Sequence, residues 1–336
     1  MKKITLLLIS ILMAGLLSAQ EESGLPAGLY AKIRLSEGDL IFRLYEKEAP
    51  LAVLSFVGLA EGSILPGENG APYYQNLTFY RIIKGYALFS GDPENSGEGL
   101  TGISFSQEKV PSLSLADRGV LAYQGIPGIS RAGKFFITLS GDGFLNQVYT
   151  PFGKIEAGAE LLDKIKLDDP VQAVEILRVG PEAMAFRADE AALAEALAEE
   201  KKSELENLKV SNPELAAFLE SLPDYEKTDS GIYYFINAEG AGDKPVPGET
   251  VSVHYQGMLL NGQIFDSSVK RGTPYSLVLG KDPVITGWVE ALLDMKAGEN
   301  RIVAIPPELA YGERGAGGII PPNSWLVFQL QLLGIQ

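Results

Sequence analysis

Residues 251–268 read VSVHYQGMLLNGQIFDSS. Val251, Val253 and Tyr255 alternate with Ser252, His254 and Gln256, the period-two pattern of a strand with one buried face. The chain then meets Asn261-Gly262, a pair that favours the positive backbone angles of a two-residue type I′ turn. A β-hairpin is predicted here, inside a β-rich domain whose alternation starts at Ile232.

Upstream the pattern changes. Residues 182–209 are dominated by Ala, Glu, Leu and Lys, strong helix formers, and Asn212-Pro213 restarts a second helical piece to about Leu222. The apolar positions Phe186, Leu193, Leu197, Leu205 and Leu208 do not keep a heptad. The reading is therefore a helix lying on a domain, with a dimerising coiled coil as the alternative. Further back, residues 29–45 alternate around Ser36-Glu37-Gly38-Asp39, a second hairpin pattern. Short β-rich runs at 77–83, 120–123, 135–139 and 174–179 follow between glycine-rich loops, and residues 49–61 read as a helix. No internal repeat links the halves, so two different folds are expected.

At 336 residues the chain has room for two domains of roughly 150 residues. Hydrophobic residues make up 46%, enough to fill two cores. Asp and Glu number 43 against 28 Lys and Arg, a net charge of -15. That sign argues against surfaces that must neutralise nucleic-acid phosphates or anionic lipid. The absence of cysteine excludes disulfides, zinc-thiolate sites and thiol catalysis, and one histidine, His254, excludes a multi-histidine metal site. At the N-terminus Lys2 and Lys3 precede an apolar run from Ile4 to Leu17 and then Ser18-Ala19-Gln20. The run is too short for a span of ~20 residues and reads as a secretory signal over residues 1–19, with a retained signal anchor as the alternative. An exported location, periplasmic or extracellular, is expected, with no integral membrane span after signal removal.

Several motifs tempt and fail. Gly97, Gly99 and Gly102 match G-x-G-x-x-G but lead into Ile103-Ser104-Phe105 without a βαβ context. Residues 128–132 approximate a nucleophile elbow, yet the histidine such a triad needs lies in the other domain. Ser106-x-x-Lys109 and Ser267-x-x-Lys270 lack the companions of an S-x-x-K hydrolase. His254, in an alternating strand, reads as a structural histidine.

What remains is a dense aromatic and aliphatic set near the C-terminus. The segments VSVHYQGMLLNGQIFDSS, RGTPYSLVLG, VITGWVEALLDMKAGE, IPPELAYG and GIIPPNSWLVFQLQLL resemble, in order and spacing, the FKBP family of peptidyl-prolyl isomerases across residues 228–336. The resemblance implies an antiparallel sheet wrapped on one helix near residues 288–293. It implies Trp288 as the floor under a prolyl ring, with Tyr255, Phe265 and Phe328 as walls. Val284 and Ile285 would form a rim whose Ile285 N–H bonds substrate, Tyr311 would offer a hydroxyl, and Asp266 would place a carboxylate at the edge. Tyr275, Leu277, Ile319 and Ile320 would complete the substrate surface, with Tyr275 and Leu277 standing where the family often has phenylalanine.

The first domain carries GLYAKIRLSEGDLIFRLYEKEAP, SFVGLAEG, LTFYRIIKGYALFSGD, GVLAYQGIPGISRAGKFFITL and YTPFGKI, which resemble the cyclophilin family over residues 25–180. That resemblance implies a closed eight-stranded β-barrel with two helices, and a catalytic arginine at Arg81. It further implies apolar pocket residues at Phe136, Phe144 and Leu145, with Tyr86 replacing the usual phenylalanine. Other positions depart from the pattern. Phe89 stands where the family has glutamine, Ala87 where it has methionine, Gly125 where it has asparagine, Lys134 for glutamine and Tyr149 for histidine. Arg81 thereby loses its usual orienting partner.

Together the halves resemble a dual-family immunophilin: residues 25–180 cyclophilin-like, 181–227 a helical linker, 228–336 FKBP-like. The expectation is a peptidyl-prolyl cis-trans isomerase that assists folding of exported proteins, active mainly in the FKBP-like domain and weak or inactive in the other. Proline-containing peptides and unfolded proteins are the expected partners, macrolides an implied ligand of the FKBP-like domain, and no cofactor is required. The rival is a non-catalytic peptide-binding chaperone or scaffold using the same clefts.

Overall fold

The computed structural model describes residues 24–336 apart from 67–69, 98 and 142; the expected signal, residues 1–19, lies outside the described residues. The chain divides into two units, residues 1–201 and 202–336. Both are mostly β, with antiparallel strand pairing and few helices.

In the N-terminal unit, β1 (Gly28–Leu35) and β2 (Gly38–Leu44) form the predicted first hairpin, pairing Leu35 with Gly38. Then come α1 (Pro50–Glu61), β3 (Leu77–Thr78), β4 (Arg81–Ile83), β5 (Ala87–Ser90), β6 (Ser104–Ser106), β7 (Val120–Ile126), β8 (Ile129–Thr138), β9 (Pro151–Ala157), β10 (Pro170–Val171) and β11 (Ala173–Val179). A nine-stranded sheet runs β11-β1-β2-β9-β7-β8-β5-β4, with β6 on β8. Among the described residues no ladder joins β4 directly to β11. The segments leading into those end strands pair with each other as the two-residue ladder β3–β10, where Pro170 has no N–H to offer.

The α1 helix is buried from Leu51 to Ala60, as a helix apolar all round must be, and the one hydroxyl in that stretch, Ser55, donates to the Leu51 carbonyl at 2.7 Å. Phe56 sits among the rings of Tyr74, Tyr123, Phe135 and Phe152 at centroid distances of 5.0–6.5 Å. Pro50 starts α1, and its orphan N–H groups at Leu51 and Ala52 donate to the Glu108 carboxylate at 2.9 Å each. Burial nevertheless pushes the Glu108 carboxyl up to about 7, outweighing those two hydrogen bonds. After α2 (Pro181–Ala185), the helix α3 (Glu190–Ser211) begins, and its Leu193 is buried in this core.

In the C-terminal unit, the end of α3 is followed by α4 (Pro213–Glu220), whose Asn212 cap accepts the Leu215 N–H at 3.1 Å. Leu205, Leu208, Leu215 and Leu219 cover one face of the sheet at Tyr233, Ala304, Val327 and Trp325. This helical segment lies on a domain, as its broken heptad predicts. The strands are β12 (Glu226–Lys227), β13 (Tyr233–Ala238), β14 (Thr250–Leu259), β15 (Ile264–Ser267), β16 (Tyr275–Val278), β17 (Asn300–Ile305) and β18 (Leu326–Ile335), with α5 (Ser268–Arg271) and α6 (Thr286–Asp294) between them. The sheet order is β12-β13-β17-β18-β14-β15, with β16 also on β14. Its second face packs on α6 through Trp288, Ala291 and Leu292.

The β14–β15 hairpin forms, but its turn is not type I′. Leu259 N–H donates to Gln263 O at 3.0 Å across the three residues 260–262, and Gly262 alone takes a positive φ, +83°. That is a three-residue loop ending in a left-handed glycine, the next commonest hairpin connection. The Asn261 side chain accepts the Gln263 N–H at 2.9 Å, a use of asparagine that needs no left-handed backbone.

Candidate active site

A cleft of about 520 Å³ opens between α6 and the β14–β15 edge of the C-terminal sheet. Trp288, in the first turn of α6, forms its floor and is 5% exposed. Gly287 lets α6 sit this close, since a Cβ there would lie 2.4 Å from Ile305. Tyr255 meets the indole edge-on at 4.8 Å, Phe328 does so at 5.3 Å, and Phe265 stands on Phe328 at 5.7 Å. These near-perpendicular contacts suit ring quadrupoles and hold the walls apart. Gly257 makes the last pair possible, because a Cβ there would come within 2.7 Å of both phenylalanine rings.

Polar groups sit at the rim. Tyr255 donates its hydroxyl to Asp266 at 2.5 Å, Ser267 N–H donates to Asp266 at 2.7 Å, and Arg271 donates both to Asp266 and to the Tyr255 oxygen, the latter at 2.8 Å. Burial works to raise the Asp266 pKa, but these three donors outweigh it and hold the carboxyl below its ordinary value. Burial first, and the bond to Asp266 second, push the Tyr255 hydroxyl up. At neutral pH Asp266 is thus a fixed anion and Tyr255 a fixed neutral donor, so neither shuttles protons. The Ile285 carbonyl accepts the Trp288 N–H at 3.0 Å, while the Ile285 N–H has no partner among the described residues.

The cleft brings together Tyr255, Phe265, Asp266, Tyr275, Val284, Ile285, Trp288, Tyr311 and Phe328 of the sequence-derived set. It does not include three others. Leu277 and Ile320 are 1% and 7% exposed and belong to the core beneath, and Ile319 is 51% exposed outside the lining. Arg271 and Pro283 line the cleft and were not foreseen. Arg271 follows Asp266 by five residues, the span that α5 folds back to make their ion pair, a signal available only once α5 is known.

The corresponding region of the N-terminal unit is built differently. Phe136 is 2% exposed in a small cluster with Ala87, Leu115, Val120 and Ala122, against which Tyr86, Phe89, Leu145 and Tyr149 pack. Phe89 lies 5.7 Å from Phe136, and Tyr149 lies 5.2 Å from it. Arg81 is exposed with its guanidinium 5.1 Å from the Phe89 ring, and it makes no hydrogen bond or ion pair among the described residues. Phe144 is 62% exposed, apart from that cluster.

An aromatic cleft rimmed by an N–H without a partner among the described residues and by groups that do not titrate near neutrality is equipped to bind and twist an amide. An X-Pro bond turns over a barrier of ~18–20 kcal/mol set by amide resonance. Apolar surroundings disfavour the charge-separated planar form, and tighter binding of the twisted form lowers the barrier without acid or base. Fold and site together define a prolyl isomerase.

Comparison with known proteins bears on the same assignment. The family model for FKBP-type peptidyl-prolyl cis-trans isomerases matches residues 242–333, and that for cyclophilin type peptidyl-prolyl cis-trans isomerase/CLD matches residues 30–180. The chain is 48% identical over 103 residues to FK506-binding protein 1 of Dictyostelium discoideum, covering 31% of this chain and 96% of that protein. It is 49% identical over 109 residues to FK506-binding protein 2 of Yarrowia lipolytica, 32% of this chain and 76% of that one. It is 42% identical over 135 residues to the FKBP-type isomerase FkpA of Buchnera aphidicola, 40% of this chain and 53% of that one. The chain belongs to the FKBP-type peptidyl-prolyl cis-trans isomerases and carries an N-terminal cyclophilin-type domain in the same polypeptide.

Proposed function

We propose that this isomerase is exported, that it speeds the folding of other exported proteins, and that its turnover occurs at the Trp288 cleft. Residues 25–180 and 228–336 are the two domains of this reading, with residues 181–227 between them. In it Trp288 floors the prolyl ring, Tyr255, Phe265 and Phe328 wall it, and the Ile285 N–H and Tyr311 hydroxyl bond the peptide. Asp266 and Arg271 fix the Tyr255 hydroxyl. The names of the FK506-binding relatives extend the proposal to macrolides at the same cleft. Export rests on the signal pattern of residues 1–19 and agrees with the lack, among the described residues, of a helix long and apolar enough to cross a membrane.

The cyclophilin-type domain is proposed to be weak or inactive as an isomerase. One observation carries the division of labour: the Trp288 floor is open to a cleft of about 520 Å³, whereas Phe136 is covered by Phe89 and Tyr149. Arg81, held over a ring with no polar partner among the described residues, lacks the rotamer control a catalytic guanidinium requires. The test is prolyl isomerisation by the full-length chain. Trp288→Leu should lower kcat/KM at least tenfold and Arg81→Ala less than twofold. The reverse pattern would move the activity to the other domain.

A further inference from the structure

Strand β14 is interrupted along one edge. β15 pairs with it as far as Gln256↔Ser267, and β16 takes over only at Val253↔Tyr275. His254 and Tyr255 lie between those two ladders, while on the other edge they keep their places opposite Gln331 and Leu330 of β18. In an antiparallel sheet a residue's N–H and carbonyl face the same edge, and those of the buried Tyr255 face the gap. Left unpaired there, both groups would be costly.

One side chain serves both. The Ser268 hydroxyl, 0% exposed at the start of α5, accepts the Tyr255 N–H at 2.7 Å and donates to the Tyr255 carbonyl at 3.2 Å. His254 Nδ1 lies 3.1 Å from the same oxygen. A hydroxyl has one proton and two acceptor positions. Its proton goes to the carbonyl and one acceptor position to the Tyr255 N–H, so the third contact is filled by a proton on His254 Nδ1. Only one orientation of the hydroxyl satisfies all three partners.

The same turn holds Tyr255 at its far end. α5 is closed by Gly272, whose N–H donates to the Ser268 carbonyl. Its last residue, Arg271, donates to the Tyr255 hydroxyl at 2.8 Å and pairs with Asp266. Tyr255 is therefore gripped at its main chain by the first residue of α5 and at its phenol by the last. The span between the two grips sets where the phenol meets Asp266.

We propose that Ser268 and His254 are positioning residues of the isomerase: the Ser268 hydroxyl, aimed by His254, sets the Tyr255 hydroxyl against Asp266 and Arg271 at the cleft rim. Their role rests on the reading that turnover occurs at the Trp288 cleft. It is exerted through the Tyr255 hydroxyl, not through the stability of the sheet.

The test is a kinetic double-mutant cycle on the full-length chain with an uncharged proline peptide, each variant being checked for folding by urea unfolding. Ser268→Ala should lower kcat/KM about three- to tenfold beside the native Tyr255, and less than about twofold in the Tyr255→Phe background. In Ser268→Ala the Cζ carbon resonance of Tyr255 should move as its bond to Asp266 changes. His254→Leu should follow Ser268→Ala, while His254→Asn, whose amide N–H can stand in for Nδ1–H, should retain activity within about twofold. If Ser268→Ala does not fold, the two histidine variants decide alone. Equal losses in both Tyr255 backgrounds, no loss in Ser268→Ala, or equal losses in the two histidine variants would overturn the proposal. Trp288→Leu is run beside them. Full activity in that variant would remove the cleft assignment and this role together, whereas its inactivity with additive Ser268 and Tyr255 effects would remove this role alone.

Discussion

Two regions of this molecule gather aromatic rings on an antiparallel sheet, and they end in opposite states. Around Trp288 the rings stand edge-on to one another and leave a cleft open. Around Phe136 the rings of Phe89 and Tyr149 close on the central residue and leave it 2% exposed. The polar groups follow the same division. Tyr255, Asp266 and Arg271 lock one another at the first site, whereas Arg81 has, among the described residues, only the Phe89 ring beside it. The lesson is that aromatic content alone does not leave a cleft open. Spacing glycines, such as Gly257, and a fixed polar rim do.

The contrast can be broken by closing the open site. Gly257→Ala puts a methyl where 2.7 Å separates the backbone position from both Phe265 and Phe328, so the rings must shift into the cleft. The expected result is at least a tenfold loss of kcat/KM for proline peptides, with circular dichroism checking that the sheet survives. Asp266→Asn, which removes the anion that orients Tyr255 and Arg271, should cost a smaller factor of about three to ten, mostly in kcat. At the other site Phe89→Ala should destabilise the N-terminal unit by about 2 kcal/mol in urea unfolding and leave isomerase activity within twofold.

A finer comparison comes from pH. Glu108, with its pKa raised to about 7, contributes stability to the N-terminal unit that is fully present below about pH 4.5 and is lost as pH rises through 7. Asp266 is held below its ordinary value by Tyr255, Arg271 and the Ser267 N–H against burial, and Asp294 by Lys244 and Arg301, also against burial. Their contribution to the C-terminal unit is present above about pH 4 and lost as pH falls through their lowered values. Thermal unfolding between pH 5 and 8 should therefore show a decline from the Glu108 contribution, flattened in Glu108→Gln, and below pH 4 a loss reduced in Asp266→Asn.

Much of this was legible in the sequence where local chemistry decides the outcome. The hairpin at β1–β2, the helix carrying Trp288 and nine of the residues lining the cleft follow from alternation, apolar spacing and family motifs. What escaped depends on contacts between distant segments. Leu277 and Ile320 have the composition of a pocket wall but belong to the core, Leu277 through the register of β16 on β14 and Ile320 through the loop bridge Ala316–Ile320. Asn261-Gly262 suggested a two-residue turn, yet the ladder resumes at Gln263 and lengthens the loop to three. The ladder between the segments leading into the two end strands of the N-terminal sheet is two residues long, too short to leave a periodic signal. Phe89, Lys134 and Tyr149 could be seen as departures, but that Phe89 and Tyr149 cover Phe136 required coordinates.

The central claim, that peptide proline enters the Trp288 cleft and not the Arg81 surface, is tested most directly by nuclear magnetic resonance on the full-length chain titrated with an Ala-Leu-Pro-Phe peptide. The account predicts shifts of the Trp288 indole and the Ile285 amide, with accelerated cis-trans exchange of the peptide and unmoved resonances for Arg81 and Phe136. Accelerated exchange with Arg81 and Phe136 shifted and the Trp288 indole unmoved would contradict it.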